Sequence, residues 1–304
     1  MEKMSRVARG LVVYAFFRLL PSAEAEVACD KDPQGALQRA INAARPGDVI
    51  LVTGTCEENL DIAETRHRIT LDGGGKATIN GTDPDAFTIS VRGRGIVIKG
   101  FTITGGIDGI RVQQGGQAKI DGNTIERTGQ FGVIVTEQSS AIIINNTIQY
   151  NPRIGVVVNG ASFAHIGVDT IIGSKPVIGP NVINYNAQGV QIERASSARI
   201  ATNDISNNDR YGLRIDSGAQ ANISSNTING NGADGVFVSR GCGANLGQPT
   251  GGGILMLPNS TTVNNHGFGV LCDVGGWVDG RLGSLNGDSG AESYSHGCIN
   301  SLLP

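Results

Sequence analysis

Little in this chain suits a helical or nucleic-acid-binding protein. Charged residues make up only 17% of its 304 residues and aromatics 5%, with a single tryptophan. Long helical bundles and coiled coils need far more Glu, Lys and Arg than this. Lys and Arg total 24 against 27 Asp and Glu, a net charge of -3, so there is no basic field to attract nucleic acid. The four histidines are dispersed and no CxxC occurs, which leaves no metal-ligand spacing. No run beyond the first 25 residues approaches the ~20 apolar residues of a membrane span. What the chain does have is 45 glycines, abundant asparagine and many Ile and Val residues. Short β-branched runs broken by Gly and Asn describe many short strands joined by tight turns.

The N-terminus differs from the rest. Lys3, Arg6 and Arg9 precede an apolar run from Leu11 to Leu20, interrupted by Arg18, and Ala23-Glu24-Ala25 offers small residues for cleavage. Residues 1–25 therefore read as a secretory signal peptide, leaving 26–304 as the mature chain. The five cysteines fit an oxidising compartment. Cys29 and Cys56 bracket the N-terminal segment and are expected to pair, as are two of Cys242, Cys272 and Cys298.

The central feature is a repeat. Glycines followed by alternating apolar residues recur at Gly109, Gly132, Gly155, Gly189, Gly212, Gly235 and Gly269, with spacings of 23, 23, 34, 23, 23 and 34 residues. An Asn-x-Ile signature precedes most of them, at Asn123, Asn146, Asn181, Asn203 and Asn226, and further asparagines follow at Asn151, Asn186, Asn208 and Asn231. No such unit can bury its own apolar face, whereas parallel stacking makes one continuous core. Asparagine suits the bends, since it tolerates left-handed backbone and can bond an identical neighbour one coil away. The fold expected is all-β: a single-stranded right-handed parallel β-helix of about ten coils. Ala36, Leu37, Ala40, Ile41 and Ala44 form an apolar stripe after Asp32-Pro33, which predicts a helix over about 34–44 capping the open end of one domain.

These features resemble the pectate-lyase-like superfamily of right-handed parallel β-helices, from Ala36 to Ile299: the capping helix with its PGDVI, the LDGGG and TING coils, and the Asn-x-Ile…Gly-Val repeats. The resemblance implies a polysaccharide laid along the outer face. It implies no single activity, since the superfamily holds lyases, hydrolases, epimerases, tailspikes and adhesins. The NTD, DD, GHG and RIK blocks of polygalacturonase-like hydrolases are missing, as is the DPH block of mannuronan epimerases.

Alternation along each Gly-a-b-c-d run places a and c inward and b and d outward. Outward column b then holds Gln191 and Arg214, and column d holds Glu193 and Asp216, on adjacent coils about 4.8 Å apart. Arg194 lies beside them, and Tyr211 occupies a column before the repeat glycine shared with Phe131 and Phe268. The candidate site is Arg214 as catalytic base or carboxylate clamp, with Gln191, Glu193, Asp216, Arg194 and Tyr211 binding substrate and Glu193 and Asp216 holding Ca²⁺. The alternative for these charges is a solvated ladder, and for the aromatics corner packing. The two 34-residue coils carry insertions expected to emerge at one corner and to wall a groove of about 14 Å around this cluster. The functional expectation is a secreted, periplasmic or cell-surface protein that binds or modifies polysaccharide, as a uronate lyase or epimerase. The second reading is a non-catalytic β-helix for adhesion, glycan binding or envelope structure.

Overall fold

The computed structural model describes residues 23–32, 34–172, 175–247, 257–295 and 297–303. It is a right-handed parallel β-solenoid of about eleven turns with one short helix near the N-terminus. A regular coil contributes three strands, as in Gln117–Asp121, Thr124–Glu126 and Phe131–Val135. The first two strand positions merge into an 18-stranded sheet, and the third builds a separate ten-stranded sheet. Stacking is in register at the repeat spacing: Thr124 pairs with Thr147, Phe131 with Ile154 and Gln117 with Ser140. Each inward position thus becomes a column of one residue type. Ile125, Ile148, Ile183, Ile205 and Ile228 are all fully buried, so branched aliphatics interlock along the axis as they would in a fully covered parallel sheet.

Two buried asparagine ladders flank the short middle strands. The Oδ1 of Asn146 accepts from both the backbone N–H and the side-chain amide of Asn123, at 2.9 and 3.1 Å, and the pattern continues through Asn181, Asn203, Asn226 and Asn259. The second ladder runs through Asn151, Asn186, Asn208, Asn231 and Asn265. Each amide also donates to a backbone carbonyl, as Asn208 does to Ile183, so bends that would strand polar groups in the core are satisfied.

The bends hold a surprise for a reading that assigned them to Gly and Asn. Arg127, Tyr150 and Tyr185 take left-handed backbone at the corner before the second ladder, with φ of 53–54°. That conformation costs a side-chain-bearing residue roughly 1–2 kcal/mol. Bonds from coil to coil hold it in place, with the N–H of Tyr150 donating to Tyr185 and that of Tyr185 to Asn207.

Strand Glu24–Ala28 opens the solenoid by pairing with Val49–Thr53. The expected signal peptide lies outside the described residues apart from 23–25, and a cut after Ala25 would remove the first two residues of this strand. The helix spans Ala36–Ala43, starting later than the Asp32-Pro33 signal implied. Its N-cap is Gly35 in left-handed conformation, with no side-chain cap of its own. Glu58, from the following coil and buried, accepts from the N–H groups of Leu37 and Gln38 at 3.0 Å each. This long-range carboxylate does what a local cap residue would, satisfying two free donors at the positive end of the helix. Leu37 and Ile41 are fully buried and close the core. Cys29–Cys56 and Cys272–Cys298 are disulfides, while Cys242 is buried and free.

Candidate functional site

The outer side of the ten-stranded sheet carries a pocket of about 570 Å³. Four of the expected residues line it: Gln191, Glu193, Arg194 and Arg214. Gln191 and Arg214 are directly paired across neighbouring strands Gln188–Ile192 and Leu213–Ile215, because inward Val190 and Ile192 fix the strand's facing. Asp216 and Tyr211 do not line the pocket; they stand behind Arg214. Asp216 is only 3% exposed, so this outward position is not a solvent-facing one. Ile134 and Val157 are likewise outward yet buried.

Arg214 is gripped from two sides. Its Nη2 donates to Asp216 Oδ2 at 2.6 Å, and its guanidinium lies 5.9 Å from the Tyr211 ring and 5.8 Å from Phe237. Those rings stack on each other at 5.0 Å. Arg240 stands 3.6 Å from the same Asp216 oxygen. Such fixing suits a carboxylate clamp, whose cation must already be in place when substrate arrives.

Glu193 ends a chain of amides. The side chain of Gln188 donates to Gln191 at 2.9 Å, Gln191 donates to Glu193 at 2.6 Å, and Asn159 reaches the other carboxylate oxygen at 3.4 Å. Arg194 lies 3.7 Å from Glu193. The expected Ca²⁺ pair therefore gains no third ligand. Glu193 faces amides of its own coil and of the preceding one, Asp216 faces Arg214 and, one coil on, Arg240, and among the described residues the one cluster of three ligand-type groups is Cys29, Cys56 and Glu58. That cluster is a disulfide beside the helix-capping carboxylate.

Two arginines of the pocket were missed from the sequence. Arg153 and Arg210 line it with the expected set. Both stand two residues before a repeat glycine, Gly155 and Gly212, so the signal was a column one step upstream of the aromatic column. Arg153 lies 5.2 Å from the Phe131 ring and donates to Gln130 at 3.2 Å, and Arg210 lies 5.5 Å from Tyr211. The pocket thus gathers four guanidiniums against one carboxylate on a chain whose net charge is negative.

The first of the two expected walls is elsewhere. The first insertion is an antiparallel hairpin of Val168–Ile172 and Lys175–Ile178, anchored by Lys119 to Asp169 at 2.7 Å on the larger sheet. Among the described residues, none of this hairpin lines the pocket. The insertion follows the first strand position of its coil rather than the third, so it leaves the solenoid at a different corner from the one Glu193 occupies. Most of the second insertion, residues 248–256, lies outside the described residues.

Buried acids also recur in the column before the glycine. Asp108 and Asp234 accept from the N–H groups of Phe131 and Phe268, one coil on, at 3.3 and 2.7 Å. Burial pushes both carboxyls above the usual range, against the lowering effect of these bonds.

Comparison with known proteins agrees with this architecture. An alginate lyase from Paenibacillus sp. str. FPU-7 has a similar structure, with a TM-score of 0.61 at 15% identity over 90% of this chain and 99% of the other. A double mutant of the periplasmic alginate epimerase AlgG gives 0.54 at 13% identity, over 92% of this chain and 84% of that one. At these identities the likeness is one of fold. No curated protein sequence matches the chain. Residues 48–176 and 163–276 match the family model described as a right handed beta helix region. The chain belongs to that right-handed β-helix family.

Proposed function

We propose that this protein is an exported polysaccharide-binding β-helix that takes a uronate-bearing glycan on the outer face of its ten-stranded sheet. The carrying observation is the convergence of Arg153, Arg194, Arg210 and Arg214 on one pocket in an acidic chain. Guanidiniums present a rigid fork that matches a carboxylate, and a uronate polymer offers one carboxylate on every ring. Two disulfides support an oxidising destination. The alginate-acting proteins of similar fold support the same class of ligand.

Arg214 is the proposed carboxylate clamp. Neutralising the substrate carboxylate makes the neighbouring C5 proton easier to remove, the demand shared by lyase and epimerase chemistry. Glu193 is the lining group able to accept that proton, and Gln191 holds one of its oxygens. A purely binding role is the second reading. The observation favouring it is that, among the described residues, the pocket's lining holds no His, Lys or Tyr to act as base or acid.

Incubation with pectate, alginate and other uronate polymers, with and without Ca²⁺, separates these readings. Absorbance from unsaturated products reports a lyase, and proton exchange at C5 reports an epimerase. Binding without either change assigns the non-catalytic role. Absence of binding to every uronate polymer overturns the proposal.

A further inference from the structure

The larger sheet carries a trough of its own. Strands Phe163–Ile166, Ser197–Ala201, Gln220–Ser224, Gly243–Leu246 and Trp277–Arg281 stack in parallel there. Phe163, Ser197, Gln220, Gly243 and Trp277 form one outward column, and His165, Arg199, Asn222, Asn245 and Asp279 the next. The trough has a volume of about 350 Å³, with Phe163 and His165 at one end and Trp277 at the other. Four coil steps, roughly 19 Å, separate the two aromatic positions. Arg199, Gln220 and Asn222 lie between them.

Trp277 does not stand away from the sheet. A side-chain carbon on Gly243 would sit 2.0 Å from the indole Cε2 and Cζ2, so the ring occupies the space that a residue at 243 would fill. Gly243 is not among the glycines with positive φ, so its backbone does not demand glycine. The indole does. It leans one coil back toward Gln220 and Ala221, which line the trough with it.

Arg199 has no ion pair or hydrogen bond among the described residues. Its titratable neighbours do not neutralise it. Burial and Arg199 itself push His165 below the usual imidazole range, and Asp169, which acts on His165 in the opposite sense, is paired with Lys119. The trough therefore joins an unpaired planar cation, two planar amides and an aromatic wall, which is the donor set that a sugar ring bearing a carboxylate requires.

We propose that this trough is a second glycan-binding site, separate from the Arg214 pocket, which seats one sugar ring against Trp277 and a uronate carboxylate on Arg199. It does not rest on the function proposed for the other sheet. The Phe163–His165 pair, rings 4.9 Å apart and edge-on, also borders a further pocket of about 390 Å³ lined by Gln117, Lys119 and Ser140. The outward columns thus continue beyond the trough in the direction of a longer chain. Two sites on one rigid rod raise the hold on a long polymer through effective concentration, without any tighter single contact.

Trp277 is the only tryptophan in the chain, so intrinsic emission reports on this trough and not on the Arg214 pocket. Hexameric oligogalacturonate and oligomannuronate are titrated into the full chain, with cellohexaose as the neutral control. A saturable emission change with an acidic hexamer is expected. Arg199→Met is expected to weaken it about tenfold or more, the scale of one lost charge-assisted hydrogen bond. Arg214→Lys is expected to leave it unchanged. Three results overturn the proposal: no emission change with either acidic hexamer at millimolar concentration, an equal affinity in Arg199→Met, or an equal response to cellohexaose. Calorimetric binding that survives Arg199→Met but is lost in Arg214→Lys would place the ligand only in the other pocket.

Discussion

Arg214 and Asp216 lie two residues apart on one outward edge and are joined at 2.6 Å, with the aspartate buried behind the arginine. The pair explains why the cation faces the pocket and the anion does not. Removing Arg214 would leave Asp216 with Arg240 as its remaining cation, at 3.6 Å.

Arg214→Ala should therefore lose both stability and uronate binding, while Arg214→Lys should keep Asp216 paired. In the lysine variant the denaturation midpoint is expected near that of the parent. Its Kd for an acidic oligosaccharide in the sheet pocket should rise about tenfold, since a point charge cannot reproduce the fork. Calorimetry beside a urea melt checks both, and unchanged affinity would remove Arg214 from the site.

Asn208 makes four side-chain contacts in its ladder, accepting twice from Asn186 and donating to Ile183 and Asn231. Asn208→Ala strands the buried N–H of Asn186. A loss of about 3 kcal/mol or more is expected, since each buried group left without a partner costs roughly 1–3 kcal/mol. Chemical denaturation measures it.

Glu58→Ala removes the only side-chain acceptors for the backbone N–H groups of the capping helix's first turn among the described residues. About 2 kcal/mol should be lost. Amide exchange should show Leu37 and Gln38 losing protection before the asparagine ladders do.

Asp234 sets a pH dependence. Burial raises its carboxyl above the ordinary range, so the folded chain holds the proton more tightly than the unfolded one. Its contribution to stability is fully present below the unfolded value of 3.8 and is lost as pH rises through the raised folded value. Asp234→Asn keeps an oxygen for the Phe268 N–H but removes the charge. The variant should be more stable than the parent at neutral pH, with the gap closing as pH falls toward 3.8. Thermal melts across that range check the sign.

The fold was legible because a solenoid is nearly one-dimensional. Each residue at Gly155 or Asn203 meets its own counterpart one period away, so the spacing of glycines and asparagines already states the contacts. Alternation within each run also settled which of Val190, Gln191 and Ile192 face inward. Three members of the candidate pocket, Gln191, Glu193 and Arg214, followed from that rule, and Arg194 from its place beside Glu193. Other features depended on contacts the repeat does not encode. Glu58 caps a helix that begins 22 residues before it, and Asp216 sinks behind Arg214 although its position alternates outward. Arg153 and Arg210 join the pocket because long side chains reach across columns that short-range patterning treats as separate. The insertion at Val168–Ile178 leaves by a corner that its length does not specify, and the Trp277 indole fills the space above Gly243. Period and polarity determined the backbone path and the facing of each residue; only packing between neighbouring coils decided which charges were spent on one another and which remained to meet a ligand.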